Sequence, residues 1–211
     1  MKENKIKKKI KDFYYKYTGI IKQKKIKNHN FTIISNNCFG GIIYRNYHIP
    51  YQSPTCGVYF MAPEYIKFIY NIKDYINSEI TEIEIDESKY KEYLKKVKYD
   101  GIIGKIKDIE ICFLHFDNIE EVNEKCKRRT NRINWNRIIY KFNDQNLCTY
   151  EELQKFQDFT AKNKICFTAK KYKNIDSIQI EKYKDKNCVI NDTREKDYKK
   201  YLDMVDYINQ I

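Results

Sequence analysis

The 211-residue sequence contains no run of about 18 apolar residues, so no segment of it reads as a membrane-spanning helix. No signal-like apolar segment opens it either. Its cysteines are Cys38, Cys56, Cys112, Cys126, Cys148, Cys166 and Cys188, seven in all with no CxxC pair. That odd number and wide spacing argue against a disulfide scaffold and for free thiols in a reducing cytoplasm. The patterns GxxxxGK(S/T), GxGxxG, HExxH, GxSxG and DxD are all missing. P-loop, dinucleotide-binding, zincin, α/β-hydrolase and metal-dependent glycosyltransferase readings thereby lose their main support. Neither a cofactor nor a metal is expected. Histidine is scarce: only His29, His48 and His115 can supply an imidazole.

What is present is enough for a packed core, with 42% apolar and 15% aromatic residues. A charged fraction of 33% and a mean hydropathy of −0.78 give that core a very polar surface. The net charge of +12 is concentrated at one end: residues 1–30 hold 11 lysines against Glu3 and Asp12, so the other 181 residues carry only +3. Nucleic acid is therefore not an expected partner of the remainder. The expected organisation is a lysine-rich helical arm over 1–30 and a single globular domain over 31–211. In the arm, Ile6, Ile10, Phe13 and Tyr17 recur at helical spacing until Gly19 interrupts them. Two readings of residues 1–28 stand. One is a cationic strip lying on an anionic membrane surface, which would place a cytoplasmic protein peripherally on the inner face. The other is a solvated appendage docked by one apolar stripe.

Strand and helix patterns interleave along the domain without repeats. Residues 31–35, 81–86, 108–116, 137–144, "KICFTAK" and "SIQIEKY" read as strands. Pro63 opens a helix in "PEYIKFIYNIKDYINS", with Tyr65, Ile69, Ile72 and Ile76 as its buried stripe. Asp117 or Asn118 caps the next, acidic at its start and arginine-rich at its end. Thr149 and Glu152 form a capping box, and "DYKKYLDMVDYINQI" closes the chain as an amphipathic helix. The expectation is an α/β or α+β fold with a single mixed sheet flanked by helices.

Four features bear on chemistry. In "FTIISNNCFGGIIY" a strand gives way to two asparagines, a cysteine and two glycines. If a helix starts near Phe39, Cys38 sits at its N-terminus, where the dipole favours the thiolate and glycine amides can receive an oxyanion. If the stretch is a hairpin, as Ile42 and Ile43 suggest, Cys38 is an inert small side chain. His115 ends the strongest strand pattern and is followed by Asp117. Cys112 and His115, three apart on a strand, point to opposite faces and form no metal pair. Arg129 lies at the edge of the buried stripe of its helix, where a structural salt bridge or a substrate anion would satisfy it. Arg128 and Arg132 fall on the far face. Ser53, Pro54 and Thr55 supply hydroxyls in a rigid turn, which is either a pocket wall or only a turn.

"FTIISNNCFGGIIY", "YQSPT" and "FLHFDNIEEVNEKCKRRTNRIN", in this order, resemble a bacterial family of uncharacterised domains often labelled exopolysaccharide or capsule biosynthesis proteins. The resembling residues are Ser35 to Gly41, Ser53 to Thr55, His115 with Phe116, Arg129, and Arg132 to Asn134, and "YLDMVDYIN" also fits. Cys126 departs from that pattern where a tryptophan is expected. The skeleton more weakly resembles a second bacterial family described as papain-like cysteine peptidases. That likeness implies a Cys38–His115 pair oriented by Asp144 or Asn143. Papain-like enzymes carry an oxyanion-hole glutamine about six residues before the cysteine; Thr32 stands there instead, so Asn36 or Asn37 must substitute.

The first expectation is thus a Cys–His acyltransferase or hydrolase acting on a small molecule or glycan. Cys38 is its nucleophile, His115 its base and Asp144 the orienting group. Asn36, Asn37, Gly40, Gly41, Ser53, Thr55, Arg129 and Arg132 line its substrate site. The alternatives are a metal-independent glycosyl- or sugar-phosphate transferase, whose Asn-Asn and Gly-Gly loop cradles phosphate with His115 as base, and a non-catalytic adaptor of polysaccharide assembly.

Overall fold

The structure, a computed structural model, describes residues 17–211. The apolar positions Ile6, Ile10 and Phe13 of the expected arm lie outside the described residues. Helical turns run through residue 25 and do not stop at Gly19. Gly19 is instead the point of close approach: a Cβ there would stand 2.2 Å from the Asn46 carbonyl oxygen. Ile26 is buried in the core and Lys22 pairs with Glu195, so this segment is docked onto the domain.

The core element is a parallel sheet in the order β1 (Thr32–Ser35), β6 (Ile138–Asn143), β7 (Lys164–Thr168), β8 (Ile178–Gln179). The chain between β1 and β6 builds a second sheet. Its strands are β2 (Val58–Tyr59), β3 (Thr81–Ile83), β4 (Ile102–Ile106) and β5 (Ile109–Phe113), antiparallel in the order β2-β5-β4-β3. The fold is therefore α+β, but the strands divide between two sheets where one mixed sheet was expected. The reason is locality. A tight turn at Lys107 and Asp108 joins β4 to β5 as an antiparallel pair, whereas parallel neighbours need long crossovers. One hydrogen bond, Phe60 N–H to the Asn36 carbonyl at 3.0 Å, ties the two sheets where β1 ends.

The helices are α1 (Phe39–Asn46), α2 (Ala62–Tyr70), α3 (Ile72–Tyr75), α4 (Lys91–Lys96), α5 (Ile119–Thr130), α6 (Tyr150–Asp158), α7 (Glu195–Tyr198) and α8 (Met204–Gln210). The expected helix after Pro63 is broken at Asn71, whose φ and ψ of −130° and 35° leave the helical region. The terminal helix likewise divides, with Asp203 capping α8 through the Val205 and Asp206 amides. Asn118 caps α5, and the Thr149–Glu152 capping box opens α6.

Alternate residues of the parallel strands feed two cores, as the period of two requires. Ile33, Ile139, Ile165 and Phe167 meet Phe39 and Ile43 of α1 and Met204 and Ile208 of α8. Ile34, Ile138, Phe142 and Cys166 meet Leu153 and Phe156 of α6, α2 and the inner face of the antiparallel sheet. α1, which follows β1, and α6, which follows β6, thus cover opposite faces of neighbouring strands. The carboxyl ends of β1 and β6 mark a topological switch point, where open α/β sheets form their binding crevices.

β1 is an edge strand and is fully buried. Its outward groups would be a liability if unpaired, and side chains satisfy them. The Tyr44 hydroxyl accepts from Ile33 N at 2.8 Å and donates to the Phe31 carbonyl at 3.1 Å. The Thr55 hydroxyl accepts from Ser35 N at 3.1 Å.

Candidate functional site

The turn after β1 leads directly into α1, so the helical reading of "NNCFGG" holds and the hairpin reading does not. Asn37 and Ser35 satisfy the first amides of α1: the Asn37 side-chain oxygen accepts from Phe39 N at 3.1 Å, and Ser35 Oγ from Gly40 N at 3.2 Å. Gly40 allows the helix to lie close to β1, since a Cβ there would stand 3.1 Å from the Ile33 side chain. Ile43 is then a core-side helical residue and the half-buried Ile42 lines the cleft beside Cys38, both helical against their β preference.

Cys38 occupies the residue before α1 and is half-buried, with Sγ 3.8 Å from the Val58 carbonyl oxygen. It lines a cleft of about 280 Å³ together with Gly41, Arg45, Tyr51, His115 and Arg129. β5 ends at Phe113, so His115 projects from the exposed connection to α5. Gly57, at φ +86°, makes room for this connection; a Cβ there would meet the Phe116 ring at 3.3 Å. Arg129 is buried, with its guanidinium carbon 4.9 Å from the centre of the Tyr51 ring and 5.5 Å from that of Phe116. It donates to the Cys56 carbonyl at 2.7 Å. The salt bridge expected of it is not formed: among the described residues no carboxylate pairs with Arg129 or with Arg45. The cleft therefore combines a thiol, an imidazole and two uncompensated cations, which suits an anionic ligand group.

The thiol is not activated by its position. Burial pushes the Cys38 thiol above its ordinary value of 9.0; Asp192 pushes it the same way, and Lys141 and Arg45 oppose. Desolvation of the charged form is the largest influence on it, and the net direction is opposite to the lowering expected of a helix N-terminus.

A buried polar network lies behind Cys38. Lys141, from the middle of β6, and Asp192 are both wholly inaccessible and form an ion pair. The Lys141 ammonium also donates to the side-chain oxygens of Asn36 at 3.2 Å and Asn37 at 3.1 Å. Asn143 donates to Asp192 at 2.6 Å and to Gln145 at 2.8 Å, and accepts from Asn36 at 2.8 Å. Asn37 donates to Asp192 at 2.9 Å. Asn36 and Asn37 thus hold the Cys38 turn to β6.

The structure brings Cys38, Gly41, His115 and Arg129 into one cleft and leaves the other candidates elsewhere. Asp144 does not orient His115: its two carboxylate oxygens accept from Ala169 N and Val189 N, each at 2.7 Å. Asn143, the alternative third member, is occupied in the buried network. Among the described residues nothing is hydrogen-bonded to the His115 ring. Ser53 and Thr55 are buried and bonded to each other at 2.9 Å, completing the edge of β1 rather than facing the cleft. Gly40 packs on β1, and Arg132 is exposed and donates to the Tyr51 carbonyl at 3.2 Å.

A family model described as a domain of unknown function (DUF1919) matches residues 9–211. The chain belongs to the DUF1919 family. An uncharacterised protein of Haemophilus influenzae (strain Rd) is 30% identical over 189 residues, covering 88% of this chain and 86% of that one. The family match takes in every residue of the cleft and of the buried network.

Sequence reasoning missed Lys141, Asp192, Arg45, Tyr51 and Gln145. Lys141 carried a signal: in "RIIYKFND" it shares a face with Ile139 and Asn143, and a lysine on the inner face of a central strand needs a buried partner. Asp192, in an irregular segment far along the chain, carried none.

Proposed function

We propose that the Cys38 cleft is the active site of an acyl-transferring or acyl-hydrolysing enzyme that acts, in the cytoplasm, on a small molecule or glycan bearing an anionic group. The observation that carries this reading is the convergence of the Cys38 thiol, the His115 imidazole and the unpaired Arg129 guanidinium on one cleft. Because burial keeps the thiol protonated at neutral pH, attack on an acyl carbon requires a base. His115 takes the proton as the S–C bond forms, and the backbone at Gly41, in the first turn of α1, faces the developing oxyanion. As the oxyanion collapses, the bond from the acyl carbon to the leaving group breaks and the leaving group departs with the proton from His115. Water or an acceptor hydroxyl then cleaves the thioester and frees the thiol. Arg129 and Arg45 hold the anionic group. The resemblance to exopolysaccharide and capsule biosynthesis proteins supports a sugar-derived substrate. The test is hydrolysis of an activated aryl ester. Cys38→Ala should abolish it, and His115→Ala should slow it by about 10²- to 10⁴-fold, the usual weight of a general base. Full turnover in either variant sinks the mechanism.

A second reading is favoured by the raised thiol: a metal-independent glycosyl- or sugar-phosphate transferase site, with Arg129 and Arg45 neutralising a phosphate and Cys38 only part of the wall. Cys38→Ser would then be silent, and nucleotide-sugars would raise the melting temperature of the wild type but not of Arg129→Ala. A peripheral contact with anionic membrane through the N-terminal lysines is a further proposal. Since residues 17–28 dock on the domain, deletion of residues 1–16 is its test, and unchanged binding to anionic vesicles would dismiss it.

A further inference from the structure

Among the described residues a second cavity is larger than the Cys38 cleft. It lies on the other flank of α5, between that helix and the inner face of the antiparallel sheet, and measures about 880 Å³. That places it within the range of small-molecule sites, roughly 300–1,000 Å³. Its apolar floor rests on the buried Phe60, Ile80, Ile106, Ile111 and Phe113, and the half-buried Ile76, Ile119 and Cys126 are its accessible apolar wall. Turning α5 by 100° per residue sets Cys126 and Thr130 toward this cavity and Lys125 and Arg129 toward the Cys38 cleft. Two contacts close the passage between them: Arg129 to the Cys56 carbonyl, and Cys126 Sγ 4.0 Å from the Pro54 carbonyl oxygen. The cavity is a separate site.

Its rim is acidic. Glu79 and Glu82 stand on the sheet side, and Glu120 and Glu124 on α5, against one lysine, Lys127. Of the four carboxylates only Glu124 is paired, with Arg128 at 2.8 Å. An apolar floor beneath an excess of unpaired carboxylates selects for charge at the ligand's polar end.

We propose that this cavity is a second binding site, for an amphiphile with an aliphatic chain and a cationic head. The chain lies along Ile76, Ile119 and Cys126, and the head lies among Glu79, Glu82 and Glu120. α5 is a wall of both sites, so occupancy of the cavity braces the helix that carries Arg129.

The probes are decyltrimethylammonium and decanoate, equal in chain and opposite in head, titrated calorimetrically below their micelle concentrations against the full chain. One decyltrimethylammonium should bind per chain, at least about tenfold tighter than decanoate, the scale of one or two charge contacts near a protein surface. Glu79→Lys with Glu120→Lys, both exposed, should reverse the order. Ile111→Trp should abolish binding by filling the floor. Because position 111 lies in the core, Thr130→Trp fills the same space from α5 and should do likewise. Equal affinity for the two heads, non-saturable uptake, a rim variant with unchanged preference, or a folded Thr130→Trp that binds as the wild type would each overturn the proposal.

Discussion

Lys141→Met isolates the buried network behind Cys38. The methionine keeps the apolar stem between Phe39 and Phe167, whose ring centres lie 5.4 and 5.9 Å from the ammonium, and removes the charge together with the hydrogen bonds to the Asn36 and Asn37 side-chain oxygens. Asp192 would keep its hydrogen bonds from Asn143 and Asn37 but lose its counter-ion, wholly out of water. Breaking such a pair from one side costs about 3–5 kcal/mol, a large share of the roughly 5–15 kcal/mol that holds a domain together. For a chain of this length each kcal/mol moves the melting temperature by about 2–4 °C, so a fall of roughly 6–20 °C is expected by calorimetry. The double variant Lys141→Met with Asp192→Asn replaces the orphaned carboxylate by an amide. It should be less destabilised than the two single losses combined, by at least about 1 kcal/mol. Salt should change neither value much, since the pair is inaccessible and poorly screened. A single variant within about 1 kcal/mol of the wild type would refute the reasoning, because it would mean that the ammonium is not what compensates Asp192.

The raised thiol makes a pH prediction. Alkylation of Cys38, followed by peptide mass mapping, should be slower than that of an ordinary thiol at neutral pH and should keep accelerating above pH 9.0, because thiolate forms only as pH approaches a value lifted above that figure; an inflection below 9.0 would contradict the burial argument. Asp144→Ala should cost about 1–3 kcal/mol for each backbone amide it orphans, yet leave native-state Cys38 alkylation unchanged; a matched loss of reactivity would return Asp144 to the active site. Tyr44→Phe should destabilise by about 1–3 kcal/mol by leaving the Ile33 amide unpaired, measured by urea denaturation. Gly19→Ala should push the segment 17–25 off the domain, since the new methyl group meets the Asn46 carbonyl, and faster proteolysis within 17–30 is the readout.

Local physics was legible along the chain. The Thr149–Glu152 capping box, the Asn118 cap and the proline in the first turn of α2 each rest on groups within one turn of one another, so spacing alone identifies them. β5 was legible as a strand in its β-branched and aromatic residues. Element lengths were less so. Asn71 breaks a helix that periodicity would carry through it, and the residues after Ile83 leave a strand that alternation would extend. β4 and α4, each with a mixed pattern, escaped notice.

By itself, the sequence determined that this chain folds as interleaved strands and helices around a substantial core, and it marked Cys38, His115 and Arg129 as chemically unusual for their positions. Their convergence was decided only by the tertiary structure, because β1, the β5–α5 connection and α5 meet through contacts spanning more than seventy residues, such as Arg129 to Cys56. Tertiary packing also decided what Asp144 does, by presenting two backbone amides to it before any imidazole. It decided the direction in which the Cys38 thiol shifts too: a helix N-terminus is a local feature that the sequence announces, while burial, the largest influence raising the thiol, is the sum of everything folded around the residue.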